Sequence, residues 1–171
     1  TNGGESWEKI LYINDMTGAI DLVMDPSNPN TLYAATWQRV REKWNDPRNE
    51  SHYTGSGIYK TTDGGTHWEE INDGLPEARY RGRIGIDVSR SNPNVIYAFV
   101  DNYEAARPAP KGETDAYGRP RGPVIKGATL YRSNNSGRSW RRVSDENDYM
   151  ERLGGTYGWV FDQTRADPNI V

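Results

Sequence analysis

The side chains best suited to chemistry lie in two segments rich in arginine and aromatic residues. They are Trp37, Arg39, Arg41, Trp44 and Tyr53 in the first segment, and Arg79, Tyr80, Arg81 and Arg83 in the second. Aromatic faces beside guanidinium groups can stack on sugar rings and pair with carboxylates. We therefore predict that these residues bind a ligand.

Other interpretations of the same segments stay open. The tryptophans of residues 36–56 could form the core of a loop folded over the protein, and charged loops are commonly only solvated. Glycoside hydrolysis would need two carboxyl groups roughly 5–9.5 Å apart. Glu77 lies beside the second segment, but no spacing is diagnostic, so the catalytic residues stay unknown. The acidic run 145–151 offers oxygen ligands for calcium, yet we expect neither a metal site nor a cofactor.

A Gly-rich turn followed by tryptophan occurs three times and shows which elements position these segments. Glycine supplies positive φ in the turn, Asp or Asn accepts hydrogen bonds from the turn's own amides, and we expect Trp68 to pack across its blade. The structural positions are Asn2, Gly4 and Trp7, then Thr61, Asp63, Gly65 and Trp68, then Ser133, Asn135, Gly137 and Trp140.

A second motif repeats in phase with the first. It occurs at residues 22–33, 84–97 and 159–171, and it reads as a strand with an aspartate (Asp25, Asp87), a Pro-Asn turn and another strand. Each repeat then has four strands, A to D, which is the pattern of a propeller blade. The predicted fold is all-β.

The repeats predict that residues 1–171 form about two and a half blades of four antiparallel strands, a fragment of a larger β-propeller. The short A–B and C–D turns should share one rim, and the long B–C and D–A loops the other. The insertion at 101–127 is so rich in Pro and Gly that we expect no regular structure in it. The predicted units are the end of one blade at 1–18, complete blades at 19–78 and 79–155, and the start of the next at 156–171.

Composition limits the function classes. Only 34% of the 171 residues are hydrophobic, while 18 are glycine and 10 proline, which is typical of many short strands joined by turns. The net charge of −3, with acids and bases interspersed, gives no reason to expect a nucleic-acid partner. No apolar run approaches the roughly 18 residues of a membrane span, so no membrane insertion is predicted.

The Trp-containing turns resemble the Asp box, or bacterial neuraminidase repeat (BNR). With the Pro-Asn motif, the chain is most similar to bacterial sortilin-like (VPS10-like) repeat proteins. The resemblance implies structural turns in an exported bacterial protein, periplasmic or extracellular, that binds a glycan or a protein. The remaining propeller blades of the same chain are a further expected partner. Alternatives are a glycoside hydrolase of sialidase or xyloglucanase type and an assembly factor for a membrane complex.

Overall fold

The chain forms two four-stranded antiparallel sheets of the propeller-blade type. The computed structural model describes residues 2–40, 52–115, 118–155 and 163–168. Each sheet follows chain order, β1-β2-β3-β4 and β5-β6-β7-β8, and this confirms the predicted all-β propeller segment. The strands are β1 (Thr17–Asp25), β2 (Asn28–Gln38), β3 (Gly57–Thr61), β4 (Glu69–Glu70), β5 (Arg81–Val88), β6 (Ile96–Arg107), β7 (Val124–Ser133) and β8 (Arg141–Arg142).

The two blades use the same strand register. Tyr33 lies opposite Lys60 in the first blade, and Tyr97 lies opposite Arg132 in the second. In each pair the cation lies over the tyrosine ring, 5.7 Å from its centroid. Such cross-strand pairs help to fix the register, because a slip of one residue would move every side chain to the other face.

The register corrects one expectation from the sequence. The repeated motif predicts that Asp25 and Asp87 occupy the same position of strand A, but Asp87 lies opposite Tyr97 whereas Val23 lies opposite Tyr33. Asp87 is therefore equivalent to Val23. The Asp25 carboxylate instead accepts hydrogen bonds within the A–B turn, from the amide and hydroxyl of residue 27.

The C–D turn of the first blade bonds to itself. The Thr61 hydroxyl donates to Oδ1 of Asp63 (2.8 Å) and accepts from the Gly65 amide (2.9 Å). The same Oδ1 accepts the amide of His67 (2.9 Å), and Oδ2 lies 2.6 Å from Nδ1 of the imidazole. These bonds satisfy turn amides that would otherwise lack partners.

The C–D turn of the second blade repeats this network with other side chains. The Ser133 hydroxyl donates to Oδ1 of Asn135 (2.9 Å) and accepts from the Gly137 amide (2.9 Å). Oδ1 of Asn135 accepts the Ser139 amide (3.0 Å), and its Nδ2 donates to the Ser139 hydroxyl (2.9 Å). An amide–hydroxyl pair thus takes the place of the carboxylate–imidazole pair.

The two repeated motifs are joined by backbone hydrogen bonds. The amide of Gly64, in the first C–D turn, donates to the carbonyl of Asn30 in the Pro-Asn motif (2.9 Å). Ser136 and Asn94 make the same bond in the second blade, also at 2.9 Å. The A–B and C–D turns therefore share one rim, which we call the turn rim. Strand parity places the B–C and D–A connections on the opposite rim, called the loop rim.

Trp140 packs between the two blades. Its side chain is 5% exposed. Nε1 donates to the carbonyl of Ile71 (2.7 Å), and its backbone amide donates to the carbonyl of Asp73 (2.8 Å). Trp140 therefore docks on the segment that directly follows β4 of the preceding blade. Trp7, at the same position of the repeat, is 91% exposed and has no preceding blade among the described residues to dock on.

The hydrophobic core lies between the sheets. Tyr33, Ala35, Ile58 and Ile71 come from the first blade, and the second blade contributes Ile84, Ile86, Val88, Ile96, Ala98, Val100, Tyr131 and Trp140. Burying a large aliphatic side chain stabilises a fold by about 1.5–3 kcal/mol. The Asp21 carboxylate also crosses the interface and accepts the amide of Ile86 (2.9 Å).

Two short helices lie in the D–A connections. One is a 3-10 helix at Ala78–Tyr80, and the other, α1, spans Asp148–Gly155. The carboxamide of Asn147 starts α1 by accepting the amides of Tyr149 and Met150. Across the part of the chain that the structure describes, neither helix has the length and apolar character needed to cross a membrane.

Candidate ligand-binding rim

Strand pairing places both arginine- and aromatic-rich segments on the loop rim. Trp37 lies opposite Gly18, close to the start of β1. Arg81 lies opposite Asn102 at the start of β5, far from the A–B end of that strand. The ends of the strands, rather than one continuous motif, therefore bring the two segments to the same side of the protein.

The first segment presents a stacked pair at the end of β2. The Arg39 guanidinium lies over the Trp37 ring, 5.1 Å from its centroid, and both side chains are half-buried. Tyr53 is half-buried beside His52, with ring centroids 4.6 Å apart. The candidates Arg41 and Trp44 lie outside the described residues.

Gln38, a residue that the sequence did not single out, holds the end of the B–C connection where the chain leads back into β3. Its side chain is buried, and its Oε1 accepts the amides of Thr54 (3.0 Å) and Gly55 (2.7 Å). Gly55 admits this approach because a Cβ there would lie 2.9 Å from the same Oε1. A single glutamine at the end of a strand belongs to no recognisable sequence motif, so its binding of these two amides could not be predicted.

The second segment presents a similar stacked pair. The Arg79 guanidinium lies 4.6 Å from the centroid of the Tyr80 ring, in the 3-10 helix. Nε of Arg79 donates to the Glu77 carboxylate (3.0 Å), and about half of the Arg79 side chain is exposed. A cation over an aromatic face, held by a carboxylate, is a pre-positioned polar surface.

Arg81 lies between the blades rather than open on the rim. Its side chain is 6% exposed and lies 3.6 Å from a Glu70 oxygen of the preceding blade. Burial lowers the pKa of Arg81 and raises that of the neighbouring Tyr59 hydroxyl, since both charged forms lose solvation. The structure thus gives Arg81 a contact within the protein. Arg83 is half-buried, and ligand binding by either residue stays a prediction.

The second B–C insertion is partly regular, which corrects the expectation for residues 101–127. β6 continues to Arg107 and β7 begins at Val124, because Ala105 pairs with Ile125 and Arg107 with Val124. We call the paired ends of β6 and β7, with the loop between them, the arm; only its tip, between Arg107 and Val124, lies outside the two strands. There, Arg121 forms an ion pair with Glu113 at 2.7 Å.

Three glutamates of the loop rim, Glu104, Glu146 and Glu151, are held by cations. Lys126 donates to Glu104 (2.7 Å) and lies 3.7 Å from Glu146, which also accepts from Arg142. The hydrogen bond with Arg142 lowers the pKa of Glu146, while that with Glu104 raises the pKa of Lys126. Glu151 of α1 binds Arg107 and so attaches the helix to the arm. No grouping of three or more His, Asp or Glu side chains suited to a metal ion occurs within the described ranges.

Two solved structures show a distant structural likeness to the chain. No protein-family model matches the chain, and no curated protein does. An ancestral GH74 enzyme superposes with a TM-score of 0.47 and 17% identity, covering 78% of this chain and 14% of that one. YCF48 from Cyanidioschyzon merolae gives a TM-score of 0.40 and 13% identity, with 80% and 30% covered. The chain therefore spans less than a third of either protein.

Proposed function

We propose that this chain is a non-catalytic binding module whose loop rim recognises a glycan or a protein ligand. The observation that carries the proposal is the pair of guanidinium–aromatic stacks, Arg39 on Trp37 and Arg79 on Tyr80. Stacked side chains lose little conformational freedom on binding, and they offer both a flat apolar face and charged donors. Sugar rings and carboxylate-bearing peptides are matched to such a surface.

Four ion-paired glutamates on this rim favour binding over hydrolysis. A general acid for glycoside cleavage needs a raised pKa so that it stays protonated near neutral pH. The pKa of Glu146 is instead lowered by Arg142, and Glu77, Glu104 and Glu151 each accept a bond from a cation. Carboxylates engaged in this way hold the loops in place, and the lowered pKa of Glu146 makes that residue a poor proton donor.

We infer in addition that the turns are Asp boxes of the sortilin-like type, in an exported protein. The support is the network of Asp63 and Asn135, in which each side chain bonds to its own turn. A turn whose polar groups are bonded to one another stabilises the fold and has few groups free to bind a ligand. We therefore assign recognition to the opposite rim, where the loops vary in length.

A binding experiment with matched variants tests the proposal. The chain is screened on a glycan array and against immobilised peptides, and the best ligand is measured by calorimetry with Arg79→Ala and Tyr80→Ala. Loss of a modest hot spot costs about 1–3 kcal/mol, so we expect Kd to rise roughly 5- to 150-fold. Arg138→Ala is the control, because Arg138 is an exposed arginine on the turn rim.

The same preparation tests the hydrolase alternative. Chromogenic glycosides are incubated with the chain and with Glu77→Gln, which removes the charge but keeps the size. Turnover that disappears in Glu77→Gln would replace the binding proposal with an enzymatic one. Equal losses of affinity for Arg79→Ala and Arg138→Ala would show that the loop rim is not the binding surface.

A further inference from the structure

Tyrosine recurs in the D–A connections of this repeat. Tyr12 lies ahead of β1, Tyr80 lies between β4 and β5, and Tyr149 follows β8. They are 68 and 69 positions apart, so a tyrosine returns about once in every repeat. Tyr12 and Tyr149 are 59% and 69% exposed, and Tyr80 is half-buried. Rings left in water stabilise the core little, and they remain available to a ligand.

The first two tyrosines lie at the loop rim. Asn14, two positions after Tyr12, donates through Nδ2 to Oε1 of Gln38 (3.5 Å), at the loop-rim end of β2. Tyr80 directly precedes Arg81, the first residue of β5. Both rings therefore stand where the chain enters an A strand from this rim.

Helix α1 carries Tyr149 to the same rim. A Cβ on Gly127, near the start of β7, would lie 2.7 Å from the carbonyl oxygen of Met150. Glu151 in the same helix binds Arg107 in the arm. The helix thus lies across the loop-rim end of the second blade, and its first turn holds an exposed ring.

The surroundings of the three rings leave a ring face open. Nζ of Lys9 lies 4.9 Å from the centroid of the Tyr12 ring, and the Tyr12 hydroxyl donates to Asp15 (2.8 Å). Tyr80 has the Arg79 guanidinium on its ring, as described above. In the part of the chain that the structure describes, no cation lies over Tyr149. A cation covers only one face of a ring, so the other face can stack on a ligand.

The charges beside these rings are balanced. Arg79 is paired with Glu77 at 3.0 Å, and the lysine and the aspartate that contact Tyr12 carry opposite charges. A balanced surface has no surplus charge for an ionic ligand to neutralise. Its carboxylates and cations are instead suited to hydrogen bonds with hydroxyl groups.

We propose that Tyr12, Tyr80 and Tyr149 form one row that binds a single chain of a neutral, linear polysaccharide. The inference rests on the proposed function and names its ligand class. Sugar rings present C–H faces that stack on aromatic rings, and their hydroxyls bond to the polar groups alongside. A linear polysaccharide repeats the same face at regular intervals, as this chain repeats its tyrosine, whereas the surface of a folded protein has no such period.

Binding of long and short forms of one glycan tests the row. The chain is screened by affinity electrophoresis against hydroxyethyl cellulose, barley β-glucan, linear mannan and amylose. The polysaccharide that binds most tightly is then measured by calorimetry, beside its own disaccharide. Contacts along one chain add as linked binding events, so the polysaccharide should bind much more tightly than the disaccharide.

Substitution of the two exposed tyrosines is the decisive step. Tyr12→Ala and Tyr149→Ala should each raise Kd for the polysaccharide about fivefold or more. Together they should remove most of its advantage over the disaccharide. Tyr12→Phe and Tyr149→Phe keep the rings and should keep most of the affinity. Trp7→Ala is the matched control, because Trp7 is an exposed aromatic residue on the turn rim, and its Kd should not change. Melting curves check that every variant is folded.

The possible failures separate the row from the proposed function. Affinity that falls with Tyr80→Ala but not with Tyr12→Ala or Tyr149→Ala would overturn the row and leave the proposed function standing. Equal losses for Trp7→Ala and Tyr12→Ala would also overturn it. Binding to none of the polysaccharides would overturn the row as well, while a peptide ligand lost with Arg79→Ala would still support a binding module.

Discussion

Truncation of Trp140 is the most direct measure of how the blades are joined. The side chain is 5% exposed and its Nε1 donates to the Ile71 carbonyl at 2.7 Å. Removing a buried aromatic side chain to Ala costs about 3–5 kcal/mol, through lost transfer free energy and the cavity left behind. Trp140→Phe keeps most of the apolar contact, but it leaves the Ile71 carbonyl without this donor, at about 1–3 kcal/mol.

The chain contains its own control, since Trp7 stands at the same position of the repeat. It is 91% exposed, so Trp7→Ala should change the free energy of unfolding by no more than about 0.5 kcal/mol. Urea denaturation followed by far-UV circular dichroism measures all three variants. Equal costs for Trp7→Ala and Trp140→Ala would refute the view that the tryptophan stabilises by docking on the preceding blade.

Two further predictions concern the turns. The His67 amide and imidazole hold the pKa of Asp63 well below its usual range, so the carboxylate stabilises the fold above its unfolded pKa of about 4, and the contribution is lost as pH falls. Asp63→Asn with His67→Ser, the pair found in the other C–D turns, should flatten the acid side of a Tm-versus-pH curve. A left-handed φ costs a non-glycine residue about 1–2 kcal/mol. Gly74→Ala should lower the free energy of unfolding by more than this, because Gly74 has a positive φ and its new Cβ would also lie 2.1 Å from the Trp140 carbonyl oxygen. Gly3→Ala, where the Cβ meets nothing, should cost no more than that, and thermal melts compare the two.

The fold was predictable because its signals are local. Glycine at 64 and 65, an acceptor at 63 and Trp68 describe one turn completely, and strands with alternating side chains surround it. The partner of each tryptophan was not predictable from the same pattern. Trp7 and Trp140 share a motif, yet one is exposed and the other buried, because burial depends on a neighbouring blade rather than on the turn.

The candidate site was predictable only in outline. Strand parity brought Trp37 and Arg79 to one rim, as the order of short and long connections indicated. Composition alone could not separate Arg81 from Arg79, although one is buried against Glu70 and the other is half exposed. That difference arises where the chain crosses from one blade to the next, and no local pattern encodes it.

The bonds between Asn30 and Gly64, and between Asn94 and Ser136, also bear on how this repeat can change length. An insertion in either turn would break a bond that the other turn depends on, so the turn rim accepts little variation. Insertions are better tolerated on the loop rim, where a Cβ added at Gly112, in the connection between β6 and β7, would meet no atom within 4 Å. An epitope or fluorophore placed there would leave the blades undisturbed, and divergence among repeats of this kind should accumulate along that side.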